Sequence, residues 1–204
     1  MKSHRLPETL TLDANHVYRL GDRILPSVTT VIRDCDAGWP VHQWYLDRGK
    51  AVHESIHLAM KGTLDWSSVD KRIIGRVKAA LKFIEDEKLE PMAMEVKLYS
   101  SRYLYAGTLD FYGRTPKKAQ FWLCDWKGSL SPHCAPQMGA YNNLLVETSE
   151  NPVDFAVAVE THDDGSYKLK WFRPAELKLA FNLFLSMLTI SGWKSKHGLT
   201  PKEP

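Results

Sequence analysis

The sequence predicts a mixed α/β domain in which helices pack on one central sheet, and three patterns predict it. Apolar residues recur at helical spacing up to about residue 88, and the period drops to two across 95–127. A second strand pair at 154–172 then leads into a closing apolar helix. The same order assigns the whole chain, 1–204, to a single domain.

Each element has its own signal. Val17-Tyr18-Arg19-Leu20 and Arg23-Ile24-Leu25 flank Gly21-Asp22, the pattern of a small hairpin. Pro26-Ser27 opens a short helix over 28–33, with Ser27 as its N-cap. A longer helix follows Pro40, carrying Val41, Trp44, Tyr45, Val52, Ile56 and Met60 as one apolar stripe. The next, over about 70–88, buries Ile73, Ile74, Val77, Leu81 and Ile84. Strands are expected at 95–99, 103–112 and 120–127, the last two joined by the turn-rich stretch 113–118. After Pro136 a helix carries Met138, Tyr141, Leu144 and Leu145. Strands at 154–160 and 167–172 flank the Asp163-Asp164-Gly165 turn, and Pro174 starts a final helix over 174–193.

Composition excludes several classes. With 204 residues, 44% hydrophobic and 25% charged, the chain is neither disordered nor too small for a core of its own. Three scattered cysteines, Cys35, Cys124 and Cys134, cannot build a four-thiolate zinc or iron–sulfur site. The N-terminal stretch lacks the apolar run of a secretory signal, and 179–193 is too short and too interrupted to span a bilayer. These features predict a cytoplasmic protein without a membrane partner. No G-x-x-x-x-G-K-[ST] phosphate loop is present, so an ATP-driven motor is not expected in this chain. A net charge of +3 does not by itself decide for or against nucleic acid.

The stretches Gly107-Thr108-Leu109-Asp110-Phe111 and Leu123-Cys124-Asp125-Trp126-Lys127 carry charges inside strands that otherwise read as buried. Asp125 and Lys127 share a face, since side chains alternate along a strand. A hairpin folded about Pro116 sets Asp110 across from about Leu123 and diagonal to Asp125. Two buried like charges repel and lose hydration unless a cation sits between them. A hard ion such as Mg²⁺ suits carboxylates and phosphate oxygens and would neutralise charge developing during attack on a phosphate. From these residues alone a second reading stays open, an Asp125–Lys127 ion pair at a strand end.

Asp110 followed one hairpin later by Asp125-Trp126-Lys127 resembles the signature of the PD-(D/E)XK nuclease superfamily, with Leu109 where Pro is usual and Asp125 in the D/E place. Other segments resemble its RecB-like exonuclease branch. Arg48-Gly49-Lys50-Ala51-Val52-His53 is similar to the helical G-x-x-x-H motif, and Gln137-Met138-Gly139-Ala140-Tyr141 to Q-x-x-x-Y. Pro26-Ser27-Val28-Thr29 is similar to the P-S-V-T segment of stand-alone phage and mitochondrial genome-maintenance exonucleases. The resemblance covers about 17–172. It implies a restriction-endonuclease-like core and Mg²⁺- or Mn²⁺-dependent hydrolysis of DNA, on single strands or ends, by exonuclease action. It also implies roles: Asp110 and Asp125 as metal ligands with His53 beside them, Glu95 as a supporting catalytic acidic residue, Lys127 positioning water, and Gln137 and Tyr141 facing the nucleic acid.

The helix after Pro40 holds a competing pattern, His53-Glu54-Ser55-Ile56-His57, the H-E-x-x-H of zinc metallopeptidases. Its extended form would need Gly and His where Met60 and Thr63 stand, and it leaves Asp110, Asp125 and Lys127 unexplained. A third reading is a catalytically silent DNA-binding module of the same fold. For strand binding, Ser27 and Thr29 offer hydroxyls at a helix start and Arg48 a guanidinium. Trp39, between Gly38 and Pro40, is the aromatic expected to be exposed for stacking, whereas the helical spacing of Trp44 and Tyr45 places them in the core.

Overall fold

The computed structural model of the chain describes residues 9–13, 17–36, 43–148 and 153–199. In chain order the elements are β1 (Leu10–Leu12), β2 (Tyr18–Leu20), β3 (Arg23–Leu25), α1 (Val28–Cys35), α2 (Gln43–Met60) and α3 (Ile74–Asp86). They continue with β4 (Glu90–Tyr99), β5 (Ala106–Thr115), β6 (Gln120–Lys127), α4 (Cys134–Thr148), β7 (Phe155–Thr161), β8 (Tyr167–Phe172) and α5 (Pro174–Lys196). Among the described residues no helix is long and apolar enough to cross a membrane.

The architecture is the expected mixed α/β one. A central sheet runs in the spatial order β4-β5-β6-β7-β8, and β1–β3 form a small antiparallel sheet beside it. The pairing is antiparallel except between β6 and β7, which are parallel and therefore need the crossover that α4 supplies. Strand β7, from Ala156 to Val159, is buried on both faces, which is why it reads as an unbroken apolar run. One face of the sheet packs on α1, α4 and α5 around Leu109, Leu123, Met138, Leu144 and Phe184. The other packs on α2 and α3 around Val52, Val77, Phe83, Trp122 and Trp126.

Several expectations need correction. The hairpin register sets Leu123 opposite Tyr112, not Asp110, because β5 runs on through Gly113 and Arg114 to Thr115 before it turns. Gly113 is strand rather than turn: a Cβ there would stand 2.5 Å from the Glu90 carbonyl oxygen and 2.6 Å from the Phe111 ring. Strand β4 starts at Glu90, earlier than alternation suggests, and its register slips between Pro91 and Ala93, as Pro at a sheet edge allows. Helix α2 buries Val52 and Ile56, but Trp44 and Tyr45 are exposed, Tyr45 at 54%. At the start of α2 the Tyr45 ring lines an open cleft rather than the core, so a helical stripe there did not mean burial. Trp39 and Val41 lie outside the described residues.

Candidate active site

The site is a gap in the sheet. Pairing of β5 with β6 runs from Thr115↔Gln120 to Phe111↔Cys124 and stops there, so one further step would set Asp110 opposite Asp125. On the other side Met94↔Phe111 and Val96↔Leu109 bracket Glu95, which therefore faces Asp110 from β4. Glu95 holds φ at 50°, a left-handed conformation that non-glycine residues rarely adopt within a strand. Leu109 and Phe111 are two apart yet pack into opposite layers, so the pleat itself breaks at Asp110. In the gap a side chain replaces the ladder, with the Trp126 N–H donating to Asp110 Oδ2 at 2.8 Å.

Groups from both faces of the sheet reach this gap. From α2, His53 places Nε2 3.1 Å from the Trp126 carbonyl oxygen. A carbonyl only accepts, so Nε2 carries the proton and Nδ1 is turned inward. Nδ1 lies 3.2 Å from Asp110 Oδ1 and 4.0 Å from Glu95 Oε1. One ligand atom each from His53, Glu95 and Asp110 falls within 4.8 Å of the others. On β6, Lys127 Nζ stands 2.5 Å from Asp125 Oδ2 as an ion pair. From α4, Gln137 Nε2 donates to Asp125 Oδ1 at 3.3 Å and to the Tyr141 hydroxyl at 3.1 Å. Asp125 is 1% exposed, so its two oxygens rest on these protein donors, Gln137 at Oδ1 and Lys127 at Oδ2.

The electrostatics follow from three carboxylates sharing little solvent. Burial pushes Asp125 up to about 6, with the Asp110 charge adding to it and Lys127 opposing. Burial and then Asp110 push Glu95 up to about 7. Asp110, although buried, is held below the usual carboxylate range by His53. Burial would lower His53, but the Asp110 carboxylate outweighs it and raises the imidazole to about 9. Lys127 is likewise raised against its burial by Asp125 and Asp110, so it stays an ammonium. The proton on His53, joined toward acid by protons on Glu95 and then Asp125, thus does part of the neutralising that a divalent ion would do. The residues fit such an ion: hard carboxylate oxygens and one imidazole whose inner nitrogen becomes a lone pair on neutralisation, with one ligand atom each from His53, Glu95 and Asp110 already close together.

Of the residues singled out in the sequence, His53, Glu95, Asp110, Asp125, Lys127, Gln137 and Tyr141 come together. Tyr141, expected to face a strand, is 4% exposed and instead supports Gln137 from beneath the sheet. Ser27 caps α1, its Oγ accepting from the Thr30 N–H at 3.0 Å and lying 3.2 Å from Thr29 Oγ1, so both hydroxyls already have partners at the helix start. Arg48 lines a cleft of about 320 Å³ next to the gap, together with Tyr45, His53, Arg76, Lys127 and Gly128. His57, the second half of the H-E-x-x-H pattern, lines a different cleft with Lys61 and Met94, away from the Nδ1 side of His53.

Three participants were missed. Tyr18 OH meets Thr108 Oγ1 at 2.7 Å and is raised by burial, with Thr108 opposing and Glu95 and Asp110 adding. No local pattern marks it, because a hairpin Tyr reads as core. Tyr45 was assigned to the core by its helical spacing. Arg76 occupies a position on the apolar stripe of α3 next to Val77, and a buried charge on such a stripe is a usable signal.

No family model and no curated protein sequence matches the chain. Solved structures do. A candidate exonuclease from Eubacterium rectale superposes with a TM-score of 0.55 at 8% identity, over 87% of this chain and 83% of that one. The alkaline exonuclease of Laribacter hongkongensis is similar at 14% identity, with a TM-score of 0.43 in its complex with dAMP and 0.38 in a second structure. In the complex the match covers 85% of this chain and 93% of that one; in the second structure it covers 83% and 91%. The first of these likenesses shows that the chain shares that protein's fold.

Proposed function

We propose that this chain is a divalent-metal-dependent nuclease of the PD-(D/E)XK type that hydrolyses DNA phosphodiester bonds, acting as an exonuclease of the RecB-like branch. The observation that carries the reading is the convergence of Glu95, Asp110, Asp125, His53 and Lys127 on one break in the sheet, where three carboxylates face one ammonium and one imidazole. A bound Mg²⁺ or Mn²⁺ would supply charge neutralisation and a more acidic water. Asp110 and Glu95 would hold the ion, with His53 Nδ1 beside them and Asp125 at the edge shared with Lys127. Trp126 and Gln137 keep those carboxylates oriented, the first through its N–H on Asp110 and the second through its amide on Asp125. Lys127, protonated and pinned at Asp125, presents an N–H to the attacking water or to a phosphoryl oxygen, where it stabilises developing negative charge.

The exonuclease-named fold neighbour supports the reading at the level of fold. The test is end-labelled DNA, single- and double-stranded, linear and circular, incubated with and without Mn²⁺. Linear DNA should shorten from its ends only with the metal, and Asp125→Ala should abolish this. Undiminished cleavage by Asp125→Ala would sink the assignment, and cleavage of circles would remove the exonuclease part.

A further inference from the structure

We propose that the cleft beside Gly128 is a binding subsite for a DNA backbone phosphate next to the scissile one, held between Arg48 and Arg76. The inference rests on the nuclease reading and deepens it. Its centre is a single point: a Cβ at Gly128 would lie 3.7 Å from Arg48 Nη2 and 3.8 Å from Arg76 Nη1, with no other atom within 4 Å. Two guanidinium groups therefore flank one open position, one residue beyond Lys127. Gly128 does not have the left-handed backbone that would itself demand glycine, so what the missing side chain provides is space.

The two cations are held differently, and both are fixed. Arg76 donates Nε to Asp163 at 2.6 Å, and Nη1 to the carbonyls of Gly128 and Thr161. This leaves its Nη2 uncommitted among the described residues. Its position depends on Gly75, where any Cβ would strike the Asp163 carbonyl, so α3 can approach that turn only with glycine there. Arg48 lies 4.7 Å over the Trp44 ring and 5.1 Å over the Tyr45 ring. Among the described residues no carboxylate pairs with it. Asp163 offsets the Arg76 charge and Asp125 that of Lys127, so Arg48 supplies the uncompensated positive charge of the cleft. A guanidinium pre-oriented by stacking and lacking a counter-ion suits a phosphate, which accepts the planar fork. Tyr45, exposed at the cleft wall, offers a ring to the base attached to that phosphate.

The test is binding of a labelled single-stranded oligonucleotide to the full chain in chelator, measured by anisotropy over a range of salt. Arg48→Gln should weaken binding about tenfold and make the log–log salt slope shallower by roughly 0.7, the value for one phosphate contact on a single strand. Gly128→Asp, which sets a carboxylate between the two guanidiniums, should do the same. It also leaves Arg76 itself in place, whose replacement would disturb the fold. A neutral methylphosphonate linkage walked along the oligonucleotide should weaken wild-type binding at one position and cost nothing further there in Arg48→Gln. Equal affinity and slope in both variants, or a loss independent of linkage position, would overturn the subsite. Metal-dependent cleavage together with that result would leave the nuclease reading standing without it. Position-specific binding by a wild type that cleaves nothing with Mn²⁺ would do the reverse, and no DNA binding at all would overturn both.

Discussion

Two charge clusters meet at the cleft beside the Lys127 end of β6, and they are built on opposite principles. Around Arg76 the donors and acceptors match: Asp163 and two carbonyls take its N–H groups, Thr161 Oγ1 donates to the Lys127 carbonyl, and Glu160 accepts from the Leu130 N–H and lies 3.2 Å from His162. Around Asp110 they do not match, since three carboxylates face one ammonium and one imidazole and two of them are pushed toward neutrality. A matched cluster needs nothing further and serves the fold. A cluster with acceptors in excess is stable only with protons or a cation added, which is what a metal site looks like without its metal.

The largest effect should come from removing charge at the unmatched cluster. Asp125→Asn keeps the shape and the Gln137 contact but lowers DNA cleavage by about a thousandfold or more. Asn removes the charge that burial disfavours but turns an amide N–H toward Lys127, so the two effects oppose and the metal-free melting temperature at pH 8 should stay close to that of the wild type. Retained cleavage, or a clear drop in melting temperature, would show that Asp125 belongs to the structural class after all. The matched cluster predicts the opposite balance. Arg76→Met should cost about 2 kcal/mol in urea unfolding, since the Gly128 and Thr161 carbonyls lose their donor while the exposed Asp163 returns to water. A loss within about 0.5 kcal/mol, the range of ordinary surface substitutions, would erase the distinction between the clusters.

Much of the unmatched cluster was legible because its residues break local rules. Asp110, Asp125 and Lys127 interrupt apolar strands, so each announced itself within a few neighbours, whereas His53, Glu95, Gln137 and Tyr141 were marked only by the resemblance of their segments to family motifs. The succession of helices and strands along the chain could be read from period changes for the same reason. What was hidden depended on distant partners. The hairpin register turned on Gly113 fitting against Glu90 and Phe111, which no turn rule contains. Trp44 and Tyr45 kept helical spacing at the exposed start of α2, so periodicity promised burial the tertiary structure does not deliver. Arg76 finds its partners at Gly128, Thr161 and Asp163, and the left-handed Glu95 is set by the strand break opposite Asp110.

The smallest effect, and the most direct probe of the excess of acceptors, is the pH dependence of stability without metal. Glu95 and Asp125 have folded values raised to about 7 and about 6, so they contribute stability in acid that is lost as pH rises through those values. His53, raised to about 9, contributes below its ordinary value and loses that contribution as pH climbs through 9. Asp110, held low, has the opposite sign, but its contribution is lost only in acid, below the ordinary carboxylate range. The metal-free melting temperature should therefore fall by a few degrees between pH 5 and pH 9. Mn²⁺ should raise it, and by more at high pH, because the ion replaces protons the ligands must first release. Glu95→Gln should flatten the metal-free slope by removing one of the titrating groups while leaving the Arg76 cluster untouched. A metal-free melting temperature that climbs across this range, or a Mn²⁺ shift indifferent to pH, would mean the carboxylates are already satisfied by the protein, and the contrast between the two clusters would fail at its source.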